Sequence, residues 1–404
     1  MRSKTPFVNL LWILAAGLIS FPALAQKIYD PGVTDAEIKI GQTIPYSGPA
    51  AGFAPIGRAM TAYFQKVNEE GGINGRKINL LSRDDSLSPP RAVDETRRMV
   101  ENDGVWAIVG SFGSPTNAAT QKYLHAKKIP SVLINSGAEQ FSDFKRWPWS
   151  QGFQPNNRDK GAIYAKYILQ KHPTAKVGVI YQNDDFGRDF LTGLRAGLGD
   201  NASRLIVKEL SYEASDPSID TQLVSMKGAG ATVLVNIATI KFTAQAIRKM
   251  GEMEWKPVHM ISDAAASIKS VLEPAGLDRS VGVITVAFRM DPNDPAFASE
   301  PGMIEYRNFM AKYLPGSNAN DSLYSMGFVM AKLFEQAVKQ CGDNLTRANL
   351  MKQMTNMRGV AVPMLLPGIT VNTTPEHTVS IQQQKLFQFD GKQWVPISEV
   401  LSSR

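Results

Sequence analysis

Residues 105–126 read VWAIVGSFGSPTNAATQKYLHA, and this stretch decides the fold. The apolar run 105–110 predicts a buried strand, residues 111–114 form a small-residue loop, and a helix opens at Pro115. Ser114 stands at the expected N-cap. Pro115 takes the first helical position, where its missing N–H costs nothing. A helix N-terminus presents unpaired N–H groups and the positive end of the helix dipole. With Gly113 and the hydroxyls of Ser114 and Thr116 beside it, the turn is a seat for a carboxylate. The plain alternative is that every strand–loop–helix unit needs a cap, and most caps bind nothing.

The same rhythm extends in both directions. Upstream, 36–44 and 77–83 read as strands, 54–70 as a helix with Met60, Tyr63, Phe64 and Val67 at i, i+3, i+4, i+7, and Ser88 as the cap of a helix to about 102. Downstream, 130–135 is a strand followed by the loop Ser136-Gly137-Ala138-Glu139. After WPWSQGFQP (147–155) a second alternating run begins. Its helices are 156–171, 188–198, 220–228, 242–251 and 268–276; its strands are 176–181, 205–210, 231–237 and 257–262, with 281–288 a strand or a crossover. Strand–helix alternation with short connections predicts parallel sheets with helices on both faces, here in two similar halves. Helices at 302–313, 322–339 and 346–354 and a terminal hairpin (381–389, 393–397) complete the chain.

Length and charge narrow the function. At 404 residues two domains are expected. Arg2 and Lys4, the apolar run 10–21 and Ala23-Leu24-Ala25 form a secretory signal peptide, cut after about Ala25. Without those two basic residues the formal charge falls from +7 to +5, with no run of five like charges, so nucleic-acid binding is not inferred. One cysteine, Cys341, leaves no internal disulfide, and four scattered histidines give no metal-ligand spacing. There is no G-x-G-x-x-G after the first strand, no G-x-x-x-x-G-K-[ST] loop and no G-x-S-x-G elbow. An enzyme is therefore not expected, nor a cofactor.

Four segments in order, IKIGQTIPYSGPAAGFAPIGRAM, NEEGGINGRKINLLSRDD, IVGSFGSPTNAATQKYL and VGVIYQNDDFGRDFLTGLRAGL, resemble the leucine/isoleucine/valine-type periplasmic binding proteins. Those are the receptors of ATP-driven importers. The resemblance covers about residues 36–398. It implies an α/β fold of two doubly wound parallel-sheet lobes joined by a three-strand hinge, closing on a ligand between them. Lobe 1 would be 27–149 plus 283–355, and lobe 2 would be 150–282 plus 356–404. It also implies a periplasmic location, a permease of the inner membrane as partner and a small-molecule ligand; a monomer is expected because no long apolar surface stripe is left over.

Carried across residue by residue, Gly113 and Ser114 match the loop that grips the ligand carboxylate, with Thr116 beside them. Gly137, Ala138 and Glu139 match the next loop. Tyr46 and Ser47 match the first loop, with Phe53 after it. Phe186 matches an aromatic of lobe 2, and Thr239 and Asp263 fall on later lobe 2 loops. Each has a plainer role: Phe112 and Phe186 as core aromatics, Tyr46 packed on a helix, Asp263 as a cap, Asp184-Asp185 as solvated loop acids.

Two departures from the family bear on the ligand. The loop after the Val235 strand, Asn236 to Lys241, lacks the acid that pairs with a ligand ammonium, and Glu139 stands where a Thr is usual. A buried ammonium without a carboxylate is costly. Either Glu139 or Asp263 supplies it, or the ligand has no ammonium. The second option is favoured: a small organic acid, aromatic in view of Tyr46, Phe53, Phe112 and Phe186. A branched-chain or other amino acid is the alternative, and a ligand-sensing domain for a membrane signalling partner is the alternative of another class.

Overall fold

The computed structural model describes residues 27–402, so the expected signal peptide lies outside the described residues. Five parallel strands form the first sheet: β1 (Glu37–Ile44), β2 (Lys77–Asp84), β3 (Ala107–Val109), β4 (Ser131–Ile134) and β5 (Ser150–Gly152), in the order β2-β1-β3-β4-β5. Helices α1 (Ala54–Glu69), α2 (Pro89–Glu101) and α3 (Ser114–Ala126) connect them.

The second sheet has a parallel part, β6 (Val177–Gln182), β7 (Ile206–Tyr212), β8 (Val233–Ile237), β9 (Val258–Ile261) and β10 (Ile284–Ala287). Three antiparallel strands extend it: β11 (Gln383–Phe389), β12 (Trp394–Pro396) and β13 (Leu401–Ser402). The order is β12-β11-β10-β9-β8-β6-β7, with β13 also on β11. Helices α4 (Asn157–Lys171), α5 (Asp185–Leu198), α6 (Asp220–Gly228) and α7 (Ile240–Glu252) cover its faces.

The first lobe is completed from the far end of the chain by α8 (Pro301–Tyr313), α9 (Ser322–Cys341) and α10 (Arg347–Met354). Met60, Tyr63, Phe64 and Val67 form the predicted stripe of α1 and are all buried with Phe328, Leu333 and Phe334 of α9 in one core. In lobe 2, a Cβ on Gly193 would come within 1.9 Å of the Arg158 carbonyl oxygen, so α4 and α5 touch through backbone.

Three segments cross between the lobes: the chain after β5, the chain after β10 and the chain before β11. They are tied by backbone bonds from Ile381 N to the Phe153 carbonyl (3.0 Å) and from Leu366 N to the Phe288 carbonyl (3.0 Å). Sheet membership differs from the expected ranges in two places. Ser150–Gly152, expected in lobe 2, pair within the first sheet, and Ile284–Ala287, expected in lobe 1, pair within the second. The segment before β11 carries no periodicity that would assign it to either sheet.

Candidate functional site

Ligands of open α/β sheets bind beyond the carboxyl ends of the strands, and here both sheets direct those ends into one cleft. Two adjoining cavities fill it, about 820 Å³ and 450 Å³ of space outside atoms. They share Phe112, Asn135, Gln154, Asp263 and Ala264 as a common wall. The lobes touch around them. Ile240 at the start of α7 stands 3.2 Å from where a Cβ on Gly52 would lie, and the Glu139 amide donates to Asp189 Oδ2 at 2.8 Å.

The smaller cavity holds the turn that opens α3. Gly113 has φ +99°, a left-handed conformation that favours glycine, and a Cβ there would strike Leu87 Cδ1 at 2.6 Å. That requirement moves the cap by one residue from the sequence expectation. Gly113 is the N-cap, Ser114 begins the helix and Pro115 follows. Freed from capping, the Ser114 hydroxyl bonds the Ser136 hydroxyl at 2.7 Å. Thr116 turns inward and donates its hydroxyl to the Phe112 carbonyl at 2.6 Å, which locks the loop from behind. Among the described residues the amides of Ser114 and Thr116 have no protein acceptor, and Ser114 lines the cavity. Gly137, Phe186 and Thr239 line it as well.

Its charges are internally spent. Lys160 on α4 is 1% exposed, and its Nζ holds both oxygens of Asp263, 8% exposed, at 2.9 and 2.8 Å. Asp184 is the N-cap of α5, its Oδ1 accepting from the Phe186 and Gly187 amides and its Oδ2 from Gln182 Nε2. Burial pushes its pKa up despite these bonds. The loop expected over 183–187 therefore starts the helix, and Asp184 is a bonded cap rather than a solvated acid. Among the described residues no group of acids, His or Cys could hold a metal ion.

The larger cavity has mostly apolar walls. Phe53 and Phe112 stack on each other in its lining, ring centroids 4.2 Å apart, and Phe288, Met326, Phe387 and Trp394 add walls from the crossing strand, α9 and the terminal hairpin. Arg289 and Asp291, on the segment that leaves β10 for the first lobe, also line it. Arg289 Nη1 donates to the Ser322 carbonyl at 2.8 Å and to the Ser325 hydroxyl, while its Nε has no partner among the described residues. Burial brings its pKa down to about 10, and burial brings that of Asp291 up to about 6.

Five expected residues lie outside both cavities. The Tyr46 hydroxyl bonds Ser82 Oγ at 2.6 Å and abuts Gly57 of α1, which is the packing role. Ser47 is tied to Asp84 and Ser86 on the surface. Thr116 sits behind the loop, and Ala138 is buried with its amide on Ser136 Oγ. Glu139 lies on the cleft rim and faces Arg158 at 3.4 Å. Sequence reasoning missed Lys160, although it stands on the buried stripe of α4 with Asn157, Gly161, Tyr164 and Ile168, an odd place for a charge. Arg289 gave only a weak signal, one charge ending the apolar run VGVITVAFRM.

A family model described as "Periplasmic binding protein" matches residues 37–393. An amino acid binding protein of Pseudomonas aeruginosa is 26% identical over 64% of this chain and 68% of its own length. A branched-chain amino acid ABC transporter protein of Thermus thermophilus, solved with bound valine, superposes with a TM-score of 0.81 over 92% of this chain and 98% of its own, at 17% identity. A fatty acid ABC transporter substrate-binding protein of Thermomonospora curvata gives 0.78 over 94% and 95%, at 20% identity. At such identities the structural likeness establishes the fold.

Proposed function

The chain belongs to the periplasmic binding protein family, and from that premise we propose that it is an extracytoplasmic receptor for a small organic acid, delivered to the permease of an ATP-driven importer. The carboxylate would sit on the Ser114 and Thr116 amides at the positive end of α3, and the apolar body would enter the larger cavity. One observation carries the choice of an acid over an amino acid: both carboxylates of the smaller cavity are consumed, Asp263 by Lys160 and Asp184 by the cap of α5. An α-ammonium beside the anion seat would lack a counter-charge, and desolvating it unpaired is costly.

Two of the named relatives favour the second reading, an amino acid ligand, since one is called amino acid binding and one holds valine, while the third is named for a fatty acid. Calorimetry with 3-phenylpropionate and leucine separates the two. The proposal expects heat from the first and none from the second; tight leucine binding overturns it.

A further inference from the structure

The larger cavity contains more polar chemistry than a carboxylate seat at α3 requires. Arg289 and Asp291 are two residues apart on one extended segment, and both line that cavity beyond the shared wall. Guanidinium is donor-only, and its Nε is buried and unpaired. Asp291 is held by one oxygen alone, Oδ1 accepting from the Asn293 amide at 2.7 Å and from Asn293 Nδ2 at 2.8 Å. Its Oδ2 takes no protein donor among the described residues. Asn135 Nδ2 in the shared wall is unpaired too among the described residues; beyond that wall the chamber offers an unmet donor on Arg289 and an unmet acceptor on Asp291.

An unpaired buried donor costs free energy that a ligand group can recover. An ammonium there would meet Arg289, and a second carboxylate would meet Asp291. A hydroxyl avoids both conflicts, because it accepts from Arg289 and donates to Asp291. The Phe53–Phe112 stack and Trp394 in the same lining fit an aryl spacer.

We propose that Arg289 and Asp291 read a ring hydroxyl at the far end of the ligand, so that the cargo class is a hydroxyaryl carboxylic acid. This rests on the acid reading above and adds specificity to it. A hydrogen bond to a charged partner is worth roughly ten- to a hundredfold in affinity.

The test is calorimetry on the exported chain with 3-phenylpropionate, its 3- and 4-hydroxy and 4-methoxy derivatives, and leucine. One hydroxy isomer is expected to bind at least about tenfold tighter than the parent, and the methoxy compound to lose that gain because it cannot donate. In Arg289→Met and Asp291→Asn the hydroxy-to-parent ratio should fall toward one. Equal affinity of parent and both hydroxy acids in the unaltered protein overturns the inference while leaving the acid reading standing, and needs no variant to fold. Binding of leucine with no binding of any acid overturns both.

Discussion

Replacing Lys160 with Met should both destabilise the protein and change what it binds. Lys160 and Asp263 are 1% and 8% exposed and joined at 2.8 Å, so the substitution leaves a carboxylate buried without its cation. Breaking a buried pair from one side costs about 3–5 kcal/mol, whereas replacing both partners with apolar groups is often neutral. Urea unfolding should accordingly show a loss of that size for Lys160→Met and a much smaller one for Lys160→Met combined with Asp263→Leu. The freed Asp263 carboxylate lies in the wall shared by both cavities. It would then supply the counter-charge that an α-ammonium lacks in the unaltered site. Calorimetry near neutral pH, at a temperature where the variant is folded, should show leucine gaining affinity relative to 3-phenylpropionate. A Lys160→Met protein as stable as the parent would refute the buried-pair argument. A folded variant still silent to leucine would refute the argument that a spent carboxylate excludes amino acids.

Gly113→Ala places a Cβ at φ +99° against Leu87 and Thr116, so it should cost about 1–3 kcal/mol by thermal unfolding and weaken acid binding. Asp85, 0% exposed with an unpaired Oδ2, has its pKa pushed by burial from 3.8 up to about 6. A carboxyl raised on folding stabilises below its unfolded pKa, and that contribution is lost as pH rises through the folded value. Stability should therefore fall between about pH 4 and 6, and Asp85→Asn should flatten that slope and gain roughly 1–3 kcal/mol at neutral pH, read by denaturant titration across pH. Gly193→Ala, with its Cβ 1.9 Å from the Arg158 carbonyl, should part α4 from α5 at a cost of about 1–3 kcal/mol or more, seen as a lowered melting temperature.

Much of this architecture was legible because its signals are local. Alternating apolar runs and amphipathic stripes, such as Met60-Tyr63-Phe64-Val67, set strands and helices through backbone periodicity. Small-residue loops at strand ends marked the mouth of the cleft. The start of α3 was misplaced by one residue because a left-handed glycine outcompeted a serine cap, and only the packing of Leu87 over Gly113 reveals that. Asp184-Asp185 looked solvated because Asn183 to Gly187 reads as a polar loop, yet Asp184 is the cap that starts α5 earlier. The charge pairing was out of reach: Lys160 and Asp263 are 103 residues apart, and only the closing of α4 over β9 joins them. Tyr46 and Glu139 were placed by family position, and each instead faces a near partner, Ser82 and Arg158.

A crystal structure grown with 3-phenylpropionate tests the anion seat most directly. The expected result is the acid enclosed by both lobes, its carboxylate oxygens within hydrogen-bonding reach of the Ser114 and Thr116 nitrogens and its ring beside Phe112. A ligand bound on an outer face, or inside the cleft with its carboxylate on Arg289 and the α3 amides left to water, would contradict it.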